Sequence, residues 1–127
     1  MKIQKLIFVY NEDANPVSMA INFVHRIVSP HTYDCNLCDL TYGYLTMKKD
    51  WKDYIGGLPV PSEFYLRSRF LKRYPNLEGA RFPAVFSMTS AGAIENFLSA
   101  DDVNAANSLD DLKALVAARL EQSLKEA

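Results

Sequence analysis

Apolar and polar positions along the chain switch repeatedly between a period of about two and a period of about 3.6, and each switch marks an element. Leu6-Ile7-Phe8-Val9-Tyr10 is an unbroken apolar run rich in β-formers. It predicts a strand covered on both faces, as in the middle of a parallel or mixed sheet. Asn11 to Asn15 is polar and predicts a loop. Asn15-Pro16 predicts a helix start, a capping side chain followed by proline where a missing N–H costs nothing. Val17, Ala20, Ile21, Val24, Ile27 and Val28 then fall at helical spacing, which predicts one buried stripe ended by Ser29-Pro30.

Further along, Lys48 to Ile55 sets Trp51, Tyr54 and Ile55 against Lys48, Lys49, Lys52 and Asp53, a short helix. Gly56-Gly57 predicts its stop, with glycine free to take a left-handed cap. Ser62 to Ser68 alternates, Phe64 and Leu66 on one side and Glu63, Tyr65 and Arg67 on the other, as a strand does. Arg69 to Tyr74 predicts one or two helical turns with Phe70, Leu71 and Tyr74 inward. The strands Ala84–Met88 and Ala93–Leu98, joined through Thr89 to Gly92, predict an antiparallel hairpin. Ser99 with Asp102, and Ser108 with Asp111, have capping-box spacing for a short helix through Asn107 and a final helix whose stripe is Leu109, Leu112, Val116 and Leu120.

Composition narrows the function classes. A chain of 127 residues is the size of a single domain (1–127) able to bury a core without disulfide staples. A net charge of −1 leaves no basic excess for phosphates, so nucleic acid is not an expected partner. No segment nears the roughly 20 apolar residues that span a bilayer, and Leu6 to Tyr10 is too short for a signal sequence. A cytoplasmic, non-membrane protein is expected, and there thiols are kept reduced.

The candidate chemistry lies in Ser29 to Gly43, SPHTYDCNLCDLTYG, which holds both cysteines and His31. Cys35 and Cys38 form a C-x-x-C, whose spacing suits a small disulfide ring or two ligands on one metal ion. Three readings follow. In the first the pair is a redox dithiol, with Cys35 attacking and Cys38 resolving, and Tyr33, Tyr42, Tyr44 and Trp51 forming an apolar rim for a protein or small thiol partner. Asp34 and Asp39 work against this reading by raising thiol pKa values unless His31 or a helix end compensates. In the second, zinc or iron is held by Cys35, Cys38 and His31, with Asp34 or Asp39 as a fourth ligand; His25, in the helix, is a poorer ligand. In the third no cofactor is involved and the cysteines fill core, Leu37 and Leu40 being anchors and Asn36 and Asp39 turn residues. Two weaker candidates are Glu12 and Asp13 as an acid pair after the first strand, and the cluster Arg67, Arg69, Lys72 and Arg73 as an anion-attracting face.

The order β, α, cysteine segment, α, β, α, β, β, α resembles that of the thioredoxin and glutaredoxin superfamily. The resemblance is most specific over EFYLRSRFLKRYPNLEGARFPAVFSM, Glu63 to Met88, where a strand and short helix lead to a proline that opens a hairpin. It implies an α/β three-layer sandwich with a mixed four-stranded sheet, a cis Phe82–Pro83 bond, and Phe82 and Pro83 beside the substrate of a thiol-disulfide oxidoreductase. In that family the C-x-x-C directly follows the first strand. Here that place is held by Asn11 to Pro16, and Cys35 and Cys38 fall in an inserted segment after the first helix. The stretch CNLC-x-L-T-x-G is also similar to one in a small group of short bacterial proteins sometimes labelled GTPases. No G-x-x-x-x-G-K-[ST] is present here to cradle a phosphate.

Overall fold

Strand β1, Ile3–Tyr10, is the centre of the computed structural model, and every residue from Leu6 to Tyr10 is buried. The structure describes residues 3–11, 17, 20, 21, 24, 36–41 and 47–126. After β1 come helical residues at Val17, Ala20, Ile21 and Val24, then helices α1 (Asn36–Thr41) and α2 (Lys49–Gly56). Strand β2 (Ser62–Leu66) runs directly into α3 (Arg67–Arg73), and a 3-10 turn covers Pro75–Leu77. The hairpin β3 (Ala84–Thr89) and β4 (Ile94–Leu98) is followed by α4 (Ala100–Asn104) and α5 (Leu109–Glu126).

The four strands make one mixed sheet in the order β2-β1-β3-β4. β1 is parallel to β2, with Phe8 opposite Phe64, and antiparallel to β3, with Ile7 opposite Phe86. β3 and β4 pair antiparallel with a bulge between Val85 and Phe86. The architecture is therefore α/β, as the alternation of elements implied.

Successive residues of β1 serve opposite faces of the sheet. Leu6, Phe8 and Tyr10 join Leu37, Leu40, Trp51, Val103, Leu112, Val116 and Leu120, so one face carries α1, α2, α4 and α5. Ile7 and Val9 join Phe70, Ala84 and Phe86, with Tyr65, Leu71, Tyr74 and Phe82 packed against them, so the other carries α3. This double cover explains why the strand reads as an unbroken apolar run.

Four local expectations are corrected. Val17, Ile21 and Val24 are helical but 67%, 62% and 57% exposed, so the stripe they define is not buried. The segment also carries Met19, Phe23 and Ile27 at helical spacing, and periodicity does not choose between two apolar rows. The β2 strand ends at Leu66, and Arg67 and Ser68 open α3. Gly57 ends α2 at φ −90°, outside the left-handed region, whereas Gly92 in the β3–β4 turn has φ 85° and needs glycine's freedom. The short helix after Ser99 stops at Asn104, before the Asn107 expected.

Both caps formed. Ser99 Oγ accepts from Asp102 N–H at 3.1 Å, and the Asp102 carboxylate accepts from Ser99 N–H at 3.1 Å. Ser108 Oγ accepts from Asp111 N–H at 3.1 Å, while the Asp111 carboxylate reaches one residue further back, to Asn107 N–H.

α2 is tied to α5 by Tyr54, whose hydroxyl donates to the Lys113 carbonyl at 3.0 Å. The Lys113 ammonium lies 5.6 Å from the Tyr54 ring centroid and 3.1 Å from the Asp50 carboxylate. Burial pushes the Tyr54 phenol above its ordinary value of 10.0, against an opposing pull from Lys113. A phenol that holds its proton more tightly when folded contributes stability that is complete below about pH 10 and lost as pH rises through the folded value. Tyr54→Phe is therefore expected to flatten the fall of the urea midpoint above about pH 10. Part of the slope stays in the variant, because Lys5 is also raised, chiefly by its hydrogen bond to Glu63, 2.9 Å away. Identical alkaline slopes for the two chains would remove Tyr54 as a source.

Candidate functional site

The C-terminal edge of β1 is where the structure places Phe82 and Pro83. Ala84 pairs with Val9, so Pro83 enters β3 at the edge where β1 ends. Pro83 is buried, and the Phe82–Pro83 peptide is cis. Phe82 is half-buried against the α3 face, its ring 6.0 Å edge-on from Phe70 and 6.5 Å from Phe86. Leu98 pairs with Val85 at the same edge, and from there Ser99 caps α4.

Helix α1 brings the second cysteine to this structure. Cys38 is the third residue of Asn36–Thr41, and Cys35 directly precedes its first residue in the sequence. α1 packs on α4 and α5. Its hold is apolar: Leu37 is fully buried and Leu40 nearly so, one helical turn apart, both in the core cluster that includes Val103, Ala106 and Leu112. Thr41 is also fully buried, and its hydroxyl donates to the Leu37 carbonyl at 2.6 Å, which removes the cost of an unpaired buried polar group. The Lys48 N–H donates to the Thr41 carbonyl at 2.8 Å, so the chain returns to the end of α1 before α2 begins. Leu37 and Leu40 are thus anchors, and residues 36–41 are helical where the sequence pattern alone suggested turn residues.

The remaining expected site residues are divided. Cys35, His31, Tyr33, Tyr42, Tyr44, Asp34, His25, Glu12 and Asp13 lie outside the described residues, as do the side chains of Cys38 and Asp39. Trp51 is not a rim residue. It is fully buried, its indole edge-on to Phe8 at 5.6 Å and stacked on Tyr54 at 5.9 Å. Among the described residues there is no group of three or more His, Cys, Asp or Glu that could hold a metal ion.

Two features lacked a sequence signal. Asn11, just past β1, accepts a 2.6 Å hydrogen bond from the Arg67 guanidinium, just past β2. This clasp spans the C-terminal ends of the two parallel strands and takes Arg67 out of the expected cationic cluster. Arg69, Lys72 and Arg73 remain exposed on α3, with the Arg73 guanidinium donating to the Tyr74 hydroxyl at 3.2 Å and lying 5.7 Å over its ring. The second feature is a polar groove of about 500 Å³ between β4 and α5, lined by Ser87, Glu95, Asn96, Arg119 and Ser123. Its cation is committed, since Arg119 donates to the Phe97 carbonyl at 3.0 Å and lies 3.7 Å from Asp102.

No helix among the described residues is long and apolar enough to cross a membrane. Comparison of the chain with family models, with curated proteins and with solved structures gives no match.

Proposed function

We propose that this chain is a thioredoxin-like thiol-disulfide protein whose working pair is Cys35 and Cys38, which in the sequence fall after the first helix rather than directly after the first strand. The observation that carries the reading is the anchoring of α1. Leu37, Leu40 and Thr41 fix the helix bearing Cys38 against α4, which leaves the sheet at the edge occupied by Pro83. The strand order β2-β1-β3-β4, with a single parallel pair, supports the same relationship. Cys38 sits on a helical turn that the core holds in place, and such backbone support suits repeated opening and closing of one small ring.

The chemistry balances as a two-electron exchange. The Cys35 thiolate attacks one sulfur of a partner disulfide, the partner S–S bond breaks, and the departing thiolate takes up a proton. The Cys38 thiolate then attacks the Cys35 sulfur of the mixed disulfide and releases the second partner thiol, which takes up the other proton. The partner is reduced and the protein is left with a Cys35–Cys38 disulfide.

The test uses oxidised glutathione as the partner, with thiols counted before and after reduction. The unaltered chain is expected to pass reversibly between two thiols and none, with or without a strong chelator. Cys38→Ser should trap glutathione on Cys35, and Cys35→Ser should lose ring formation entirely. Stoichiometric zinc or iron in protein purified without added metal would instead assign Cys35, Cys38 and His31 to a metal-binding module. If neither serine variant changes thiol exchange or metal content, both chemistries fall.

A further inference from the structure

Arg81 and Asp101 form an ion pair at the sheet edge that Pro83 occupies, guanidinium to carboxylate at 3.2 Å. Arg81 stands shortly before Pro83, where the chain enters β3. Asp101 lies in the first turn of α4, which the chain enters straight from β4. The pair therefore bridges the approach to β3 and the start of the helix on which α1, the helix that contains Cys38, is packed. Its two side chains are 72% and 78% exposed. An ion pair in that much water adds little to stability, so the fold does not depend on it and its charges are open to a second partner.

The charge around the edge decides which partner. Arg67 is clasped to the neutral Asn11, Arg81 faces Asp101, and Arg119 faces Asp102. Three guanidinium groups against two carboxylates leave one positive charge in excess among these described residues. Asp102 is also taken up by the α4 cap, where it accepts from the Ser99 N–H. Arg67 and Arg119 are half-buried, whereas Arg81 is exposed. The contact with Asp101 engages Nη1 of Arg81 and leaves the Nη2 and Nε donors, a planar fork that matches a second carboxylate.

We infer that Arg81 selects the partner of the exchange: it takes a carboxylate carried beside the partner's disulfide, so that anionic disulfides react in preference to cationic ones. The inference rests on the thiol reading of Cys35 and Cys38 and names the substrate class of that site.

Two disulfides of equal chain length test it, dithiodipropionate with a carboxylate at each end and cystamine with an ammonium at each end. The rate at which each consumes the thiols of the reduced full chain is measured, and the anionic rate is divided by the cationic one, which cancels any change in the thiols themselves. Arg81→Glu should lower this ratio by about tenfold at low salt, the scale of reversing one exposed charge a few ångströms from another. The drop should shrink at high salt, where exposed charges are screened. Asp101→Asn, which leaves the guanidinium unopposed, should raise the ratio, and it serves as the independent check if Arg81→Glu lowers the melting temperature. Exchange that proceeds with a ratio unchanged by Arg81→Glu, or lowered by Asp101→Asn, overturns the role of Arg81 and leaves the thiol reading standing. No exchange of the unaltered chain with either disulfide removes the thiol reading, and the role of Arg81 with it.

Discussion

Phe70→Ala is expected to lower the stability of the chain by about 3–5 kcal/mol, the cost of emptying a fully buried aromatic site. Phe70 is the central side chain of the α3 face. Its ring stacks on Phe86 at 5.1 Å and meets Tyr74 at 5.2 Å, Phe82 at 6.0 Å and Tyr65 at 6.1 Å. The face beneath it is small, with Ile7, Val9 and Ala84 as the other fully enclosed residues. Because α3 is only seven residues and no side-chain cap holds its start, this ring is the main tie between the helix and the sheet. Urea unfolding followed by circular dichroism measures the loss. A change below about 1 kcal/mol, typical of a surface substitution, would mean that α3 does not depend on Phe70.

Trp51→Ala, on the opposite face, is expected to cost a similar amount, about 3–5 kcal/mol. The indole is completely buried, edge-on to Phe8, which in turn stacks on Phe64 at 5.0 Å, so its removal opens the space between α2 and the strands β1 and β2. The comparison with Trp51→Phe makes the prediction sharper. Trp51 Nε1 is buried and has no hydrogen-bond partner among the described residues. Replacing the indole with a phenyl ring removes that polar atom along with some volume, and the first gain offsets part of the second. Trp51→Phe should therefore retain most of the stability that Trp51→Ala loses. Equal losses for the two variants would show that the indole N–H is doing bonding work that the contacts of the ring do not explain.

Local pattern made some of the architecture legible. Leu6 to Tyr10 reads as a strand covered on both faces because five consecutive apolar β-formers have no other soluble home. The hairpin, the Ser99–Asp102 box and the helical stripe of Leu112, Val116 and Leu120 were legible for the same reason, since each is specified within one or two turns of chain. The site was legible only in part. The cysteine spacing was plain, but Leu37 and Leu40 are too few to distinguish a six-residue helix from a turn with two anchors. Arg67 continued a strand alternation in the sequence, yet it opens α3 and clasps Asn11 across the sheet edge.

The amino-acid order by itself determined the strand β1, the β3–β4 hairpin and the capped helices after it, because those choices follow from side-chain period, capping residues and β-branching within a few residues, but it marked neither helix α1 nor the start of α3. Only the tertiary structure decided which side of each element is covered. Trp51 became core because Phe8, 43 positions earlier in the chain, lies against its ring, and Val17, Ile21 and Val24 became surface although their spacing matched a buried stripe. Burial is a property of the assembled packing, in which contacts between distant residues compete for one limited interior, and a helical or strand period carries no information about which competitor wins.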